Sequence, residues 1–106
     1  MSKWAVEFTP EAQEDRRRLD GSVRIIVDKA IDKVSTNPLP QEEGGYGKPL
    51  GNKNGLNLTG LLKVKLKASG IRVIYQLHRE NESMKIVVIG LREDEEVYRS
   101  AVHRLS

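Results

Sequence analysis

Cysteine is absent from this chain, which removes disulfides, thiolate metal sites and a cysteine nucleophile from consideration. Histidine occurs only twice, as His78 and His103, on different predicted elements and without a partner motif, which argues against a histidine-pair hydrolase or a zinc site. No apolar run approaches the roughly 18–20 residues needed to span a bilayer. The first twenty residues alternate and then turn strongly charged, unlike a secretory leader. These absences lead us to expect a soluble, cytoplasmic protein with no membrane partner, no metal and no other cofactor. A chain of 106 residues has no room for a second hydrophobic core, so residues 1–106 are expected to form a single domain.

What is present is patterned. Trp4, Val6 and Phe8 alternate with Ala5 and Glu7, which predicts a first strand over Lys3–Thr9 with the large residues inward. Thr9-Pro10 has the form of a helix N-cap followed by proline at the first helical position, opening a short helix to about Leu19. Asp20-Gly21-Ser22 breaks it. Val23, Ile26, Val27, Ala30, Ile31 and Val34 then follow helical spacing, and Asn37-Pro38 ends that second helix. Residues 37–58 hold three of the four prolines and five of the nine glycines and read as one long loop. Its Gly44-Gly45-Tyr46-Gly47-Lys48 lacks the spacing of a phosphate-binding loop. Strands are predicted over Thr59–Lys67, Ile71–Arg79 and Ser83–Leu91, and a last helix over Asp94–Leu105 with Val97, Ala101 and Leu105 inward. The acidic run Glu93–Glu96 suits the positive end of that helix without invoking a metal. The order β-α-α-β-β-β-α implies an α+β domain, a four-stranded mainly antiparallel sheet with helices packed on it.

Net charge is only +3, but it is unevenly spread. From Gly44 to Arg79 there are seven basic residues and no Asp or Glu, leaving eleven basic against fifteen acidic residues elsewhere. A polyanion bound over that segment would relieve its self-repulsion. In Leu62-Lys63-Val64-Lys65-Leu66-Lys67, the period of two sends Leu62, Val64 and Leu66 to the core and sets Lys63, Lys65 and Lys67 on the opposite face, roughly 7 Å apart. The next strand turns Ile71, Val73, Tyr75 and Leu77 one way and Arg72, Ile74, Gln76 and His78 the other. A hairpin would bring Arg72 beside Lys65 or Lys67, depending on register.

Such a face suits a phosphodiester. RNA carries its own nucleophile, the 2′-hydroxyl, so a protein need only orient it, take its proton and stabilise the charge that develops. Arginine grips phosphate bidentately and stays charged. A lysine crowded by other cations loses its proton more readily and becomes a plausible base. Lys48, Lys53, Lys67 and Arg79 of the same basic segment are candidates for RNA binding. Trp4, Phe8 and Tyr75 read as core, and Arg16-Arg17-Arg18 as a solvated helix face.

The ordered set of strings Leu62–Gln76 and Val88–Tyr98, with the Trp-x-Val-x-Phe opening and the Asn37-Pro38 helix end, resembles the RelE toxins of the RelE/ParE superfamily over essentially the whole chain. The resemblance implies a toxin of a type II toxin–antitoxin system that enters the ribosomal A site and cleaves mRNA without a metal. The 2′-hydroxyl would attack to leave a 2′,3′-cyclic phosphate and a 5′-hydroxyl. On this resemblance Lys63 and Lys65 are the two catalytic lysines, Lys65 the general base. Arg72 is the transition-state arginine, Arg92 assists the leaving group, chiefly by stabilising charge, and Tyr98 stacks and orients the scissile site. The acidic Glu93–Glu96 departs from relatives that are basic there. Implied partners are the ribosome with its mRNA, a cognate RelB-like antitoxin and, through that antitoxin only, operator DNA. Two other readings stay open: a ParE-like toxin that binds gyrase without nuclease chemistry, and a nucleic-acid-binding module whose basic face only grips phosphate.

Overall fold

The computed structural model describes residues 3–53, 55–67, 69–91 and 94–105. Five strands form one sheet: β1 (Ala5–Phe8), β2 (Lys48–Lys53), β3 (Leu56–Leu66), β4 (Ile71–His78) and β5 (Ser83–Gly90), in the spatial order β1-β5-β4-β3-β2. Helices α1 (Pro10–Arg17) and α2 (Gly21–Val34) pack on one face and α3 (Asp94–Leu105) on the other. The α+β class and the order of the long elements match the sequence reading, with one strand more than the expected four. The additional strand, β2, lies within the segment read as a loop over residues 37–58. Pro49 is tolerated there because β2 is an edge strand, and the β2–β3 register shifts between Pro49 and Gly51. Strands β2 to β5 are antiparallel in turn, whereas β1 runs parallel to β5, Ala5 opposite Ser83 and Phe8 opposite Ile86.

Thr9 caps α1 as expected, its hydroxyl accepting from the Ala12 amide at 3.1 Å. At the other end of α1, Arg24 donates to the carbonyls of Arg16, Arg17 and Leu19, which brings positive charge to the negative end of the helix. Arg16, partly exposed, also forms a two-pronged ion pair with Asp28 across the α1–α2 hairpin. Helix α2 buries Val27, Ile31 and Val34. Ile26, expected on that inner stripe, is instead 49% exposed, since it lies about 100° around the helix from Val27.

The core of the domain lies in two layers, one on each side of the sheet. Ala12, Val27, Ile31 and Val34 meet Leu62, Ile71, Val73, Tyr75, Met84 and Ile86 on the α1/α2 face. Val97, Tyr98 and Ala101 meet Leu50, Leu58, Leu61, Ile74, Val87 and Val88 on the α3 face. Two consecutive valines reach the α3 face because β5 bulges: Ile74 pairs with Val88 and Tyr75 with Ile86, leaving Val87 as the extra residue.

The glycine-rich segment before β2 is built for close packing, not for holding phosphate. The fully buried Tyr75 donates its hydroxyl to the Pro38 carbonyl at 2.7 Å. A Cβ at Gly47 would overlap that hydroxyl and Leu62, and one at Gly45 would overlap the Leu39 backbone. Burial pushes the Tyr75 phenol well above its usual range.

Candidate active site

The β3–β4 register resolves the position of Arg72: its cross-strand partner is Lys65. Directly opposed residues of an antiparallel pair point to the same side, their Cβ atoms about 5 Å apart, so both lie on the α3 face. On its other flank Arg72 is opposite Gly90, which offers no side chain to compete for the space. Arg72 also donates to the Gly70 carbonyl at 3.2 Å, steadying the guanidinium at the hairpin end of the sheet.

The adjoining row runs Lys48, Lys63, Ile74, Val88 across β2, β3, β4 and β5. Here the environment changes. Lys65 and Lys48 are exposed and Arg72 is half-buried, whereas Lys63 is only 8% exposed. The sequence pattern placed Lys63 opposite a core, but that opposite face is itself covered by α3. The Lys63 ammonium donates to the Tyr98 hydroxyl at 2.8 Å. It lies 5.4 Å from the ring centroid, and the two distances together put it beyond the hydroxyl near the ring plane, not over the ring face. The contact is therefore a hydrogen bond in character, with little cation–π contribution. Tyr98 itself is 4% exposed. In this arrangement it offers an oxygen to Lys63, and no open ring face on which a base could stack.

The other candidates divide. Lys67 follows β3 in the turn and is exposed, within reach of the same end of the sheet. The backbone of Lys53 pairs with Leu56 at the far end of the β2–β3 hairpin, away from Lys63. Arg79 lies just past the opposite end of β4 from Arg72, roughly 23 Å away along the strand. It is bound to Glu43 through two hydrogen bonds of 2.9 and 2.7 Å, which hold the Glu43 carboxyl below its usual range. Arg92 falls outside the described residues. His78 ends β4 and His103 is exposed on α3.

One feature that the sequence reading missed adjoins the site. Arg104, near the end of α3, donates to Asp15 of α1 through both terminal nitrogens, at 2.7 and 3.1 Å, and to the Val87 carbonyl at 2.8 Å. Asp15 also accepts from the Ile89 amide at 3.0 Å. The two residues are 89 positions apart, and neither periodicity nor motif linked them.

Residues 6–96 match the family model for the ParE toxin of type II toxin–antitoxin systems. The chain belongs to that toxin family. Within it the chain is of the RelE type: it is 29% identical over 100 residues to the mRNA interferase toxin RelE of Escherichia coli strain K12, covering 94% of this chain and 95% of that one. Among solved structures the toxin is similar to an arginine double mutant of E. coli RelE in the free state. There the TM-score is 0.73 and identity 26%, over 99% of this chain and all of that one. A RelBE toxin–antitoxin complex from Mycobacterium tuberculosis matches with a TM-score of 0.67 and 25% identity, over 89% of this chain and 97% of that one. No described helix of the toxin is long and apolar enough to cross a membrane.

Proposed function

We propose that this toxin is a metal-free endoribonuclease that cuts mRNA in the ribosomal A site. The observation that carries the reading is the register: Lys65 directly opposite Arg72 on one face, with Lys63 and Tyr98 hydrogen-bonded in the neighbouring row. Lys65, as general base, takes the proton of the ribose 2′-hydroxyl, whose oxygen attacks the adjacent phosphorus. The bond from phosphorus to the 5′-oxygen breaks, leaving a 2′,3′-cyclic phosphate and a 5′-hydroxyl once that oxygen takes a proton from water. Arg72 neutralises charge on the non-bridging oxygens as it builds up. Lys63 adds a cation that its burial makes strong at short range. Arg92 is assigned to the leaving group on the family resemblance alone. Stacking by Tyr98 requires α3 to tilt away from the sheet.

The exposed lysines Lys48 and Lys67 are assigned to RNA backbone contact, with Lys53 a weaker candidate. Arg79 is assigned no such contact, since it lies at the other end of β4 and is engaged by Glu43. A RelB-like antitoxin is the proposed partner, with operator DNA bound through it and the cytoplasm as the place of action.

Induced expression in bacteria, with 5′-end mapping of mRNA, tests the reading. Growth arrest with cuts inside translated codons is expected from the parent and not from Arg72→Ala. Equal cutting of naked RNA would remove the ribosome requirement, and intact mRNA with DNA damage would replace the nuclease reading by gyrase binding.

A further inference from the structure

We infer that Asp15 and Arg104 are positioning residues of the active site, acting through Tyr98 although neither reaches the RNA. The inference rests on the nuclease reading above. Helix α3 is held to the sheet in two different ways along its length. Its first half is seated by Val97, Tyr98 and Ala101, all buried against the sheet. Beyond Ala101 the apolar contact fades, with Val102 only half-buried and Leu105 exposed. A polar inward anchor of that last stretch is Arg104, whose guanidinium is shared between Asp15 of α1 and the Val87 carbonyl of β5. Both side chains are largely withdrawn from water, 19% and 15% exposed, and a two-pronged arginine–carboxylate pair fixes direction as well as distance.

The clasp also fixes the strand. Strand β1 stops opposite Ile86, so the β5 edge beyond it has polar backbone groups that no neighbouring strand meets among the described residues. Asp15 takes the Ile89 amide and Arg104 takes the Val87 carbonyl. These are the residues on either side of Val88, in the bulged stretch that feeds Gly90 to its place opposite Arg72. One ion pair therefore sets both the seat of the helix that carries Tyr98 and the strand end that flanks Arg72. Arg104 lies six residues beyond Tyr98, about 9 Å along the axis. With that end pinned, a substrate that draws Lys63 away from Tyr98 tilts α3 about the clasp and keeps the tyrosine beside the phosphate. Without the pin the helix leaves the site.

The test is a double-mutant cycle on programmed ribosomes. Single-turnover cleavage and half-saturating toxin concentration are measured for the parent, Arg104→Ala, Tyr98→Ala and the pair. Arg104→Ala is expected to slow the cleavage step by up to about a hundredfold, the loss that misplacing an intact group can cause, with little change in half-saturation. It should cost almost nothing further when Tyr98 is already alanine. Arg104→Lys, which can still reach Asp15, should recover part of the rate. Amide hydrogen exchange should rise across residues 97–104 in Arg104→Ala and stay near parental in β3 and β4. An equal loss in both backgrounds, or a rate at or above the parent's, overturns the inference. So does unchanged exchange in α3. Exchange needs no cleavage, so a parent that cuts no RNA refutes the nuclease reading and still leaves the clasp's hold on α3 measured.

Discussion

Replacing Lys63 by methionine should uncouple stability from activity in a direction opposite to that of an ordinary core substitution. Lys63 is 8% exposed among Leu61, Ile74 and Tyr98, and burying an ammonium costs several kcal/mol before its contacts offset that cost. Its hydrogen bond to the Tyr98 hydroxyl returns about 1.5–3 kcal/mol, as for other bonds to charged groups. Methionine has nearly the same length and volume, fills irregular space well and carries no charge. Its loss includes the unsatisfied Tyr98 oxygen, about 1 kcal/mol. The balance predicts a Lys63→Met protein between equally stable and about 2 kcal/mol more stable than the parent. Each kcal/mol gained corresponds to a rise of about 4–8 °C in Tm for a domain of this size. Cleavage should nonetheless fall by at least about a hundredfold, on the scale of losing one preorganised charge from an active site. Urea unfolding and thermal melts of the purified protein, with Arg72→Ala as the common background to permit overproduction, measure the first quantity. Cleavage on ribosomes without that background measures the second. A Lys63→Met protein destabilised by more than about 1 kcal/mol would refute the reasoning, because the lysine would then be a structural strut and not a charge retained at a cost.

Tyr75→Phe leaves the buried Pro38 carbonyl without its donor and should lower unfolding free energy by about 1–3 kcal/mol, with cleavage by the folded fraction unchanged; urea melts and ribosome assays decide this. Gly47→Ala forces a methyl into the Tyr75 hydroxyl and Leu62 and should cost about 1–3 kcal/mol as an overpacking change, measured in the same melts. The Asp28 carboxyl is held below its ordinary value of 3.8 chiefly by the Arg16 hydrogen bonds. Its folded-state value is thus lower than its unfolded one, so its contribution is complete above 3.8 and is lost as pH falls through the lower, folded value. The stability difference between parent and Asp28→Asn should therefore be present near neutral pH, small at about 0.5 kcal/mol because the pair is partly exposed, and vanish in strong acid. A difference that grows on acidification would contradict the assignment.

The long elements were legible because each obeys one period. Val27, Ile31 and Val34 mark a helix, and Ile71, Val73 and Tyr75 mark one face of a strand whatever surrounds them. Strand β2 was not legible: Pro49 and Gly51 interrupt any alternation, and what makes Lys48–Lys53 a strand is its pairing with β3, a tertiary fact. Gly60, with φ +86°, marks the irregular stretch across which the α3-facing side passes from Leu58 to Leu61. The pairing of Lys65 with Arg72 was narrowed to two registers from the hairpin and needed the structure to choose between them. The burial of Lys63 and Tyr98 was hidden for a different reason. Alternation reports two faces of a strand, and cannot say that both faces are covered when one covering helix arrives thirty residues later. Asp15 and Arg104 carried no local signal, being single charged residues on helices that each look adequately solvated.

The parallel pairing of β1 with β5 has a consequence for the order in which the molecule comes into being. Ala5–Phe8 is synthesised well before its hydrogen-bonding partner, Ser83–Ile86. Closing so large a loop in sequence is slow and cannot begin until that partner has emerged. Until then β1 is unpaired, and the sheet that bears Lys65 and Arg72 gains its β1 edge only after β5 has been made.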